Sequence, residues 1–179
     1  MPVRSALVKD YTILAKGRPI PIHGCPLIMG VVNITPDSFS DGGRYLAVDR
    51  AVAQAVALVD QGADILDLGA ESTRPGASPV CEQEEMDRLL PVLSEVVKRT
   101  TVSVSVDTMK SRVARAALDA GASIINDVTA MRFDPEMAQV VATYGAGVVL
   151  MHMQGTPVTM QESPHYDNVV SEVGAFFEE

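Results

Sequence analysis

Short apolar runs alternate with longer amphipathic segments along most of the chain. The apolar runs are LIMGVVN (27–33), DILDLGA (64–70), VSVSVD (102–107), SIIND (123–127) and GVVLMHM (147–153). Each run has the length of a strand, and the segments between them have the length and periodicity of crossover helices. This alternation predicts consecutive βα units and a parallel sheet.

Glycine and proline mark the borders of these elements. A glycine follows three of the predicted helices, in DQGADI (60–65), DAGASI (119–124) and TYGAGVV (143–149), where a left-handed residue ends a helix. Residues 1–25 precede the first βα unit and predict a small hairpin that turns at KGRP. Pro91 either kinks the second helix or marks its start near Val92.

The last segment, NVVSEVGAFFEE, predicts an amphipathic helix. Its apolar side chains fall on one helical face: Val169, Val170, Val173, Phe176 and Phe177. No cap or stop signal follows them, so we expect the natural chain to continue past Glu179.

Composition narrows the class of protein. The 179 residues suit one domain, 1–179, and 47% of them are hydrophobic while only 4% are aromatic, which favours an α/β core of aliphatic side chains. A net charge of −9 argues against nucleic acid and anionic membranes as partners. No window approaches the roughly 18 apolar residues of a membrane span, and two cysteines without a CxxC pattern indicate reduced thiols. We expect a cytoplasmic protein.

Polar residues gather where the predicted strands end. Asn33, Asp107, the pair Asn126 and Asp127, and His152 each close a strand, and ESTRPGA (71–77) follows the second strand. In parallel α/β folds the ligand site lies at this edge of the sheet, because the strand-to-helix loops converge there. The sequence therefore predicts a binding site at the carboxyl ends of the strands.

Several of these residues also have a purely structural interpretation. Asp107 could cap the helix that follows it, Asn126 and Asp127 could be turn residues, and His152 is more often a packed histidine than a catalyst. Asp67 either points into the interior toward a partner or faces a helix, and we favour a structural partner.

The loops that follow the first and second predicted strands carry different candidate site residues. Thr73 and Arg74 precede Pro75 and Gly76, which fits an exposed turn, although Arg74 would give an acidic protein a local cation for an anionic ligand. Phe39, in NITPDSFSDGG, has no structural reason unless its loop folds back over a ligand. No Walker A, GxSxG or HExxH pattern is present, and the three histidines are too far apart to predict a zinc site.

Four segments, GVVNITPDSFSDGG, GADILDLGAESTRPGA, SVDTMKSRVARAALDAGASIINDV and VLMHMQGTP, resemble in order the signatures of the dihydropteroate synthases. The resemblance implies a (β/α)8 TIM barrel, of which this chain holds the first five βα units behind an N-terminal hairpin. It also implies a folate-biosynthesis transferase that joins (7,8-dihydropterin-6-yl)methyl diphosphate to 4-aminobenzoate, requires Mg²⁺ and is a sulfonamide target. A homodimer is expected for the full-length protein.

The resemblance also assigns roles to individual residues. It implies that Asn33 contacts the metal and the diphosphate, and that Phe39 and Asp41 close over the site on the first loop. The second loop would bring Thr73 and Arg74 to the diphosphate and the 4-aminobenzoate. The pterin pocket would be formed by the residues Asp107, Asn126 and Met151.

The later signatures of that family, a DPGxGF-type segment, a lysine-bearing segment and an RxHD-type segment, do not occur in these 179 residues. Two alternatives therefore stay open. One is a pterin-binding methyltransferase-type barrel, against which TPDSFSDGG argues because that loop serves a diphosphate. The other is a catalytically inactive pterin-binding fragment.

Overall fold

The computed structural model describes residues 11–34, 43–72, 79–157 and 159–178. The chain begins with strands β1 (Tyr11–Ala15) and β2 (Arg18–Ile22). Five parallel strands follow, β3 (Met29–Asn33), β4 (Ile65–Gly69), β5 (Ser103–Asp107), β6 (Ile124–Asp127) and β7 (Gly147–Leu150). The helices are α1 (Gly43–Asp60), α2 (Glu82–Arg99), α3 (Ser111–Asp119), α4 (Met137–Tyr144) and α5 (Val169–Glu178).

The five parallel strands form one sheet in sequence order, β3-β4-β5-β6-β7. One face of the sheet packs against the helices, and the main core lies in that layer. Its buried strand residues include Val32, Leu66, Leu68, Val106 and Ile125, which alternate with residues of the opposite face. The chain thus forms five consecutive βα units of a (β/α)8 barrel, and the opposite face of the sheet is the barrel interior.

The N-terminal hairpin covers the amino-terminal end of the barrel interior. Strands β1 and β2 pair antiparallel, and Ala15 packs in a small cluster with Ile65 and Ile124, the first residues of β4 and β6. Lys16 donates its backbone N–H to the Gly145 carbonyl at 2.7 Å and its ammonium to the Leu118 carbonyl at 2.7 Å. The predicted hairpin is confirmed, and it closes the end of the sheet opposite the predicted site.

The glycine joints are confirmed as well. Gly62, Gly121 and Gly145 all have positive φ. Gly145 is the left-handed C-cap of α4, with φ 57°, a conformation that costs a residue with a Cβ free energy. These short joints turn the chain back at the edge away from the site.

One of the two alternatives for Pro91 and one strand boundary are wrong. Helix α2 begins at Glu82 and contains Pro91, so it does not start near Val92. Pro91 lies on the exposed side while Leu89 and Leu93 are fully buried, and this burial outweighs the roughly 3 kcal/mol penalty of an internal proline. The second error concerns β7, which ends at Leu150 although the apolar run continues to Met153.

Helix α5 forms where the pattern predicted it, and three of the five side chains on its apolar face are exposed. Val169, Val170 and Phe177 are 53%, 80% and 46% exposed. Both cysteines, Cys25 and Cys81, are free and exposed. Among the helices that the structure describes, none combines the length and apolar character needed to cross a membrane.

Candidate functional site

One row of the parallel sheet carries three of the predicted site residues. The backbone register aligns Asn33 with Gly69, Gly69 with Asp107, and Asp107 with Asn126. Residues of one row in a parallel sheet point to the same face, and these positions alternate with the core residues that face the helices. The row therefore faces the barrel interior at the carboxyl ends of the strands, as predicted.

Gly69 separates the two oxygen-bearing side chains on either side of it. A Cβ placed on Gly69 would lie 3.6 Å from Asp107 Oδ2 and 3.8 Å from Asn33 Oδ1. Because glycine has no side chain there, the carboxylate of Asp107 and the amide oxygen of Asn33 border the same open space. Two acceptors around one space can receive hydrogen bonds from a single ligand.

A second polar layer lies one step deeper in the barrel. Asp67 aligns with Ser105 in the register, and the Asn126 side chain donates to Asp67 Oδ2 at 3.2 Å. Asp67 is 4% exposed and Ser105 is fully buried. Within the described part of the chain, Asp67 Oδ1 and the Ser105 hydroxyl have no hydrogen-bond partner.

Asp67 therefore belongs to the site, although the sequence favoured a structural partner for it. The structural partner of Asp67 is Asn126, which is itself a site residue, so the two interpretations do not exclude each other. Ser105 was missed entirely. The period of two in VSVSVD, counted back from Asp107, was the available signal, since it places Ser105 on the same face.

The carboxyl of Asp107 has an unusual acidity. Burial, together with the nearby carboxylates of Asp67, Glu85, Asp127 and Glu71, raises the pKa of Asp107 from 3.8 to about 7. Desolvation and like charges both disfavour the ionised form. A ligand that donates hydrogen bonds to this carboxylate would stabilise the ionised form, which the surrounding protein disfavours.

Of the structural interpretations of Asp107, Asn126 and Asp127, only that of Asp127 as a turn residue is confirmed. The N-cap position of α3 is Lys110, so the interpretation of Asp107 as a helix cap is wrong. Asp127 is a turn residue: its Oδ1 accepts from the backbone N–H and hydroxyl of Thr129 at 2.8 and 2.7 Å, and its Oδ2 accepts from Met131 N–H at 3.0 Å. Asn126 instead faces the barrel interior.

The segment after β7 confirms the packed interpretation of His152 but not its position at the end of a strand. Met151 is half-buried and donates its backbone N–H to the Asp127 carbonyl at 3.3 Å, which places it at the same edge as the site. His152 lies beyond the end of β7, and its ring packs against Tyr166 and Phe176, with centroid distances of 5.6 and 4.6 Å. The histidine is packed against aromatic residues and is not a strand-end site residue.

Comparison with known proteins places this arrangement in a family. Residues 29–179 match the family described as "Pterin binding enzyme". The chain belongs to the pterin-binding enzymes. The matched range contains every element of the barrel from β3 to α5.

Named relatives of this pterin-binding chain include bacterial and plant proteins. It is 47% identical over 152 residues to the dihydropteroate synthase of Escherichia coli K12, covering 85% of this chain and 54% of that protein. It is 48% identical over 153 residues to the mitochondrial folate synthesis bifunctional protein of Arabidopsis thaliana, covering 83% of this chain and 28% of that one. The chain thus spans about half the length of the bacterial relative.

Solved structures agree in fold. The dihydropteroate synthase of Xanthomonas albilineans, with 4-aminobenzoic acid, superposes with a TM-score of 0.82 at 46% identity, over 95% of this chain and 59% of that one. The Yersinia pestis dihydropteroate synthase, in a sulfonamide drug complex, gives 0.83 at 42% identity, over 94% and 60% of the two chains. The five βα units of this pterin-binding chain therefore adopt the fold of the corresponding part of those enzymes.

Four of the predicted site residues, Phe39, Asp41, Thr73 and Arg74, lie outside the described residues. Their roles stay predictions. The chain leaves the sheet toward both segments at the site edge, where Ile34 donates its N–H to the Gly69 carbonyl at 2.7 Å. In a pterin-binding enzyme, this is the edge at which loop residues would reach a ligand.

Among the side-chain oxygens of this row, Oδ1 of Asn33 is the one that the resemblance assigns to the predicted Mg²⁺. Among the described residues, no group of three or more His, Cys, Asp and Glu side chains is arranged to hold a metal. Mg²⁺ is commonly held by one or two protein oxygens together with waters and substrate phosphates. The described residues therefore fit a metal that arrives with a phosphorylated substrate, and they do not fit a closed all-protein metal cage.

Proposed function

We propose that the protein is a dihydropteroate synthase of folate biosynthesis, a transferase that condenses (7,8-dihydropterin-6-yl)methyl diphosphate with 4-aminobenzoate to dihydropteroate and diphosphate. The observation that carries the proposal is the interior-facing row of Asn33, Asp107 and Asn126 at the carboxyl ends of the strands. That row lies in a chain 47% identical to a bacterial enzyme of this name.

Pterin recognition follows from the chemistry of the row. The aminopyrimidinone edge of a pterin carries adjacent N–H donors and an acceptor. Asp107 accepts two of those donors in our proposal, while Asn126 both donates and accepts. A ligand without the matching groups would leave buried polar atoms unpaired at about 1 to 3 kcal/mol each, which provides selectivity.

The reaction itself is a substitution at the exocyclic methylene carbon of the pterin. The lone pair of the arylamine nitrogen of 4-aminobenzoate forms the new C–N bond, the C–O bond to diphosphate breaks, and the diphosphate leaves with the electron pair. The amine then releases a proton to solvent. The arylamine is already a nucleophile, so no Ser-His or Cys-His pair is needed to activate it.

The protein's part is to bind and orient the substrates and to offset charge on the leaving group. In the proposal, Asn33 holds the diphosphate end and offers its amide oxygen to the metal. Arg74 and Thr73 contact the diphosphate and the 4-aminobenzoate, and Phe39 and Asp41 cover the site. Bound Mg²⁺ would neutralise the negative charge that accumulates on the leaving oxygens.

The same proposal includes the remaining family properties. Sulfonamide binding in place of 4-aminobenzoate is one of them, supported by the drug complex named for the Yersinia enzyme. A cytoplasmic location and a homodimer of the complete protein are the others. They rest on the resemblance to the family.

Product formation tests the proposal directly. The pterin diphosphate and 4-aminobenzoate are incubated with the chain extended past Glu179 to the length of its bacterial relatives, with and without Mg²⁺. We expect dihydropteroate only when all components are present. A protein that binds pterin but makes no dihydropteroate would show that the synthase assignment is wrong and would favour a methyltransferase-type barrel or an inactive pterin-binding protein.

A matched pair of variants links the activity to the row. Asp107→Ala is expected to abolish pterin binding, because the acceptor of two ligand donors is removed. Arg112→Gln serves as the control, because it only breaks an exposed ion pair with Glu82 on the outer surface. Equal losses in the two variants would contradict the proposed pterin site.

A further inference from the structure

A lysine ammonium is buried between two carboxylates just behind the site. Lys110 Nζ lies 2.7 Å from Glu71 Oε2 and 2.5 Å from Glu85 Oε2, and the three side chains are 9%, 9% and 0% exposed. Lysine and glutamate are almost never this buried unless they are paired. The arrangement is costly to desolvate, which calls for a reason beyond stability.

The cluster joins three parts of the fold that flank the site. Lys110 ends the short turn that begins at Asp107, and Glu85 belongs to the buried side of α2. The hydroxyl of Thr108, in the same turn, accepts the backbone N–H of Lys110 at 3.3 Å. The turn that follows Asp107 is therefore fixed to α2 through the ammonium of Lys110.

Glu71 extends the connection to the second loop. It lies two residues after the end of β4, and its Oε1 accepts the backbone N–H of Val80 at 2.8 Å. One carboxylate thus holds the chain before residues 73–78 to the chain after them, while its other oxygen accepts from Lys110. Through this one ammonium, both ends of that segment are tied to the turn after Asp107.

The charges of the cluster are mutually dependent. Burial disfavours the ammonium of Lys110, but hydrogen bonds to Glu71 and Glu85 hold its pKa above the ordinary value. Burial raises the pKa of Glu85, and the hydrogen bond from Lys110 opposes that effect. Removing Lys110 would leave two buried carboxylates without a counter-charge.

We propose that Lys110 is a positioning residue for substrate binding, because its buried contacts with Glu71 and Glu85 hold the turn after Asp107 in a fixed relation to both ends of residues 73–78. The inference rests on the proposed function, which assigns the pterin to Asp107 and the diphosphate and 4-aminobenzoate to Thr73 and Arg74. Lys110 acts through these residues. Its loss should therefore weaken binding of both substrates together.

The test needs variants that separate position from stability. Lys110→Met alone strands two carboxylates, so Lys110→Met is combined with Glu85→Gln, which removes one of the two buried negative charges. Lys110→Arg keeps the cation and is the conservative variant. Arg112→Gln is the control, because Arg112 also links α3 to α2, through Glu82 at 2.8 Å, but is 70% exposed.

Binding is measured in the extended protein, well below the unfolding temperature of each variant. The readouts are the Kd of a pterin that carries no diphosphate and the KM for 4-aminobenzoate. In the double variant we expect both to rise about tenfold to a hundredfold, the range expected when a binding group is displaced by about 1 Å. Lys110→Arg should recover most of the loss, and Arg112→Gln should leave both constants unchanged.

Glu71→Gln separates the two connections and does not depend on the double variant folding. It should raise the KM for 4-aminobenzoate while leaving the Kd of the diphosphate-free pterin nearly unchanged, because the link between Lys110 and Glu85 stays intact. If the wild-type protein makes dihydropteroate and Glu71→Gln or the folded double variant binds both substrates normally, Lys110 is not a positioning residue. If the wild-type protein itself makes no product, the proposed function fails instead.

Discussion

The side-chain amide of Asn126 donates a hydrogen bond to Asp67, 3.2 Å away and one layer deeper in the barrel interior. Within the described part of the chain, no other hydrogen bond engages this amide. Its carbonyl oxygen and second N–H are therefore available to a ligand, in an orientation set by Asp67. Asp67 also lies among the carboxylates that raise the pKa of Asp107, so it affects both pterin contacts of the proposed site.

The pH dependence of pterin binding should reveal this second effect. In the proposed function, the pterin donates hydrogen bonds to the ionised carboxylate of Asp107, whose pKa is about 7 in the free protein. Affinity should therefore fall about tenfold for each pH unit below 7. Asp67→Asn removes a negative charge near Asp107 and keeps an acceptor for Asn126. We expect the midpoint of the binding profile to move to lower pH, as measured by calorimetry between pH 5 and 8.

Asp64→Asn is the control for that experiment. Asp64 is exposed at the opposite end of the strand, where its carboxylate accepts the Ile28 N–H at 2.8 Å, so its profile should match that of the wild type. An unchanged midpoint in Asp67→Asn would show that Asp67 does not influence the ionisation of Asp107.

The stability of the protein should depend on Asp107 in the opposite sense from a surface carboxylate. Its pKa is about 7 in the folded state and near 3.8 when the chain is unfolded. The folded state therefore binds the proton more tightly, and the contribution of Asp107 to stability decreases as the pH rises from about 4 to 7. Asp107→Asn removes the charge, so its gain in stability should be absent at pH 4 and complete above pH 7.

We expect a gain on the order of 1 to 3 kcal/mol at pH 8, because solvent reduces the full value of 1.36 kcal/mol per pKa unit. Urea unfolding at pH 4 and pH 8 measures it, with Asp49→Asn on the exposed side of α1 as the control. A variant that is less stable than the wild type at pH 8 would mean that the carboxylate of Asp107 stabilises the fold. Asp107→Asn should also bind pterin poorly. A variant that is more stable but binds more weakly would show that Asp107 serves binding at a cost in stability.

The sequence was sufficient to predict the row of site residues at the strand ends, but not the buried charged cluster behind that row. Asn33, Asp107 and Asn126 were predictable because period-two alternation locates strand ends, and a parallel sheet brings those ends together. The same reasoning wrongly predicted that His152 ends a strand, because an apolar run can continue beyond the last hydrogen-bonded residue of the strand. The pairing of β7 stops at Leu150, whereas the apolar residues continue after it.

The Lys110 cluster illustrates what pattern reasoning does not reach. Glu85 sits in EQEEM, which looks like the solvated first turn of a helix, and Lys110 looks like an ordinary exposed residue before a helix. They meet with Glu71 only because two consecutive βα units, β4–α2 and β5–α3, pack together. A buried charge pair has no local sequence signature, since each partner depends on a residue that is distant in the chain.

Gly69 offers a test of the space between Asn33 and Asp107. A Cβ at this position would meet Asp107 Oδ2 at 3.6 Å and Asn33 Oδ1 at 3.8 Å, which are ordinary contact distances. Gly69→Ala should therefore change stability by less than about 1 kcal/mol. The added methyl group occupies the space between two ligand acceptors, so we expect about tenfold weaker pterin binding, and a larger loss for Gly69→Val.

Gly62→Ala is the matched control for the glycine position. Gly62 has φ +102° and lies at the joint between α1 and β4, where a Cβ is strained and no substrate is expected. It should lower the unfolding temperature without changing the pterin Kd. Normal pterin binding by Gly69→Val would place the pterin away from this space.

Asn33 should link the metal to the diphosphate. Its amide oxygen borders the same space as Asp107, and the described residues provide no group of three or more His, Cys, Asp and Glu side chains for a metal. A metal held by one protein oxygen depends on the substrate phosphates for further ligands. Asn33→Ala should therefore raise the Mg²⁺ concentration needed for half-maximal activity and weaken binding of the pterin diphosphate.

The discriminating measurement compares two ligands in the same variant. Titration of Asn33→Ala with a pterin that lacks diphosphate should give nearly the wild-type Kd, because Asp107 and Asn126 are intact. The pterin diphosphate in the presence of Mg²⁺ should bind about tenfold more weakly, as expected for the loss of one hydrogen bond to a charged group. Equal losses for the two ligands would mean that Asn33 contacts the pterin ring, and that the metal and the diphosphate are held by other residues.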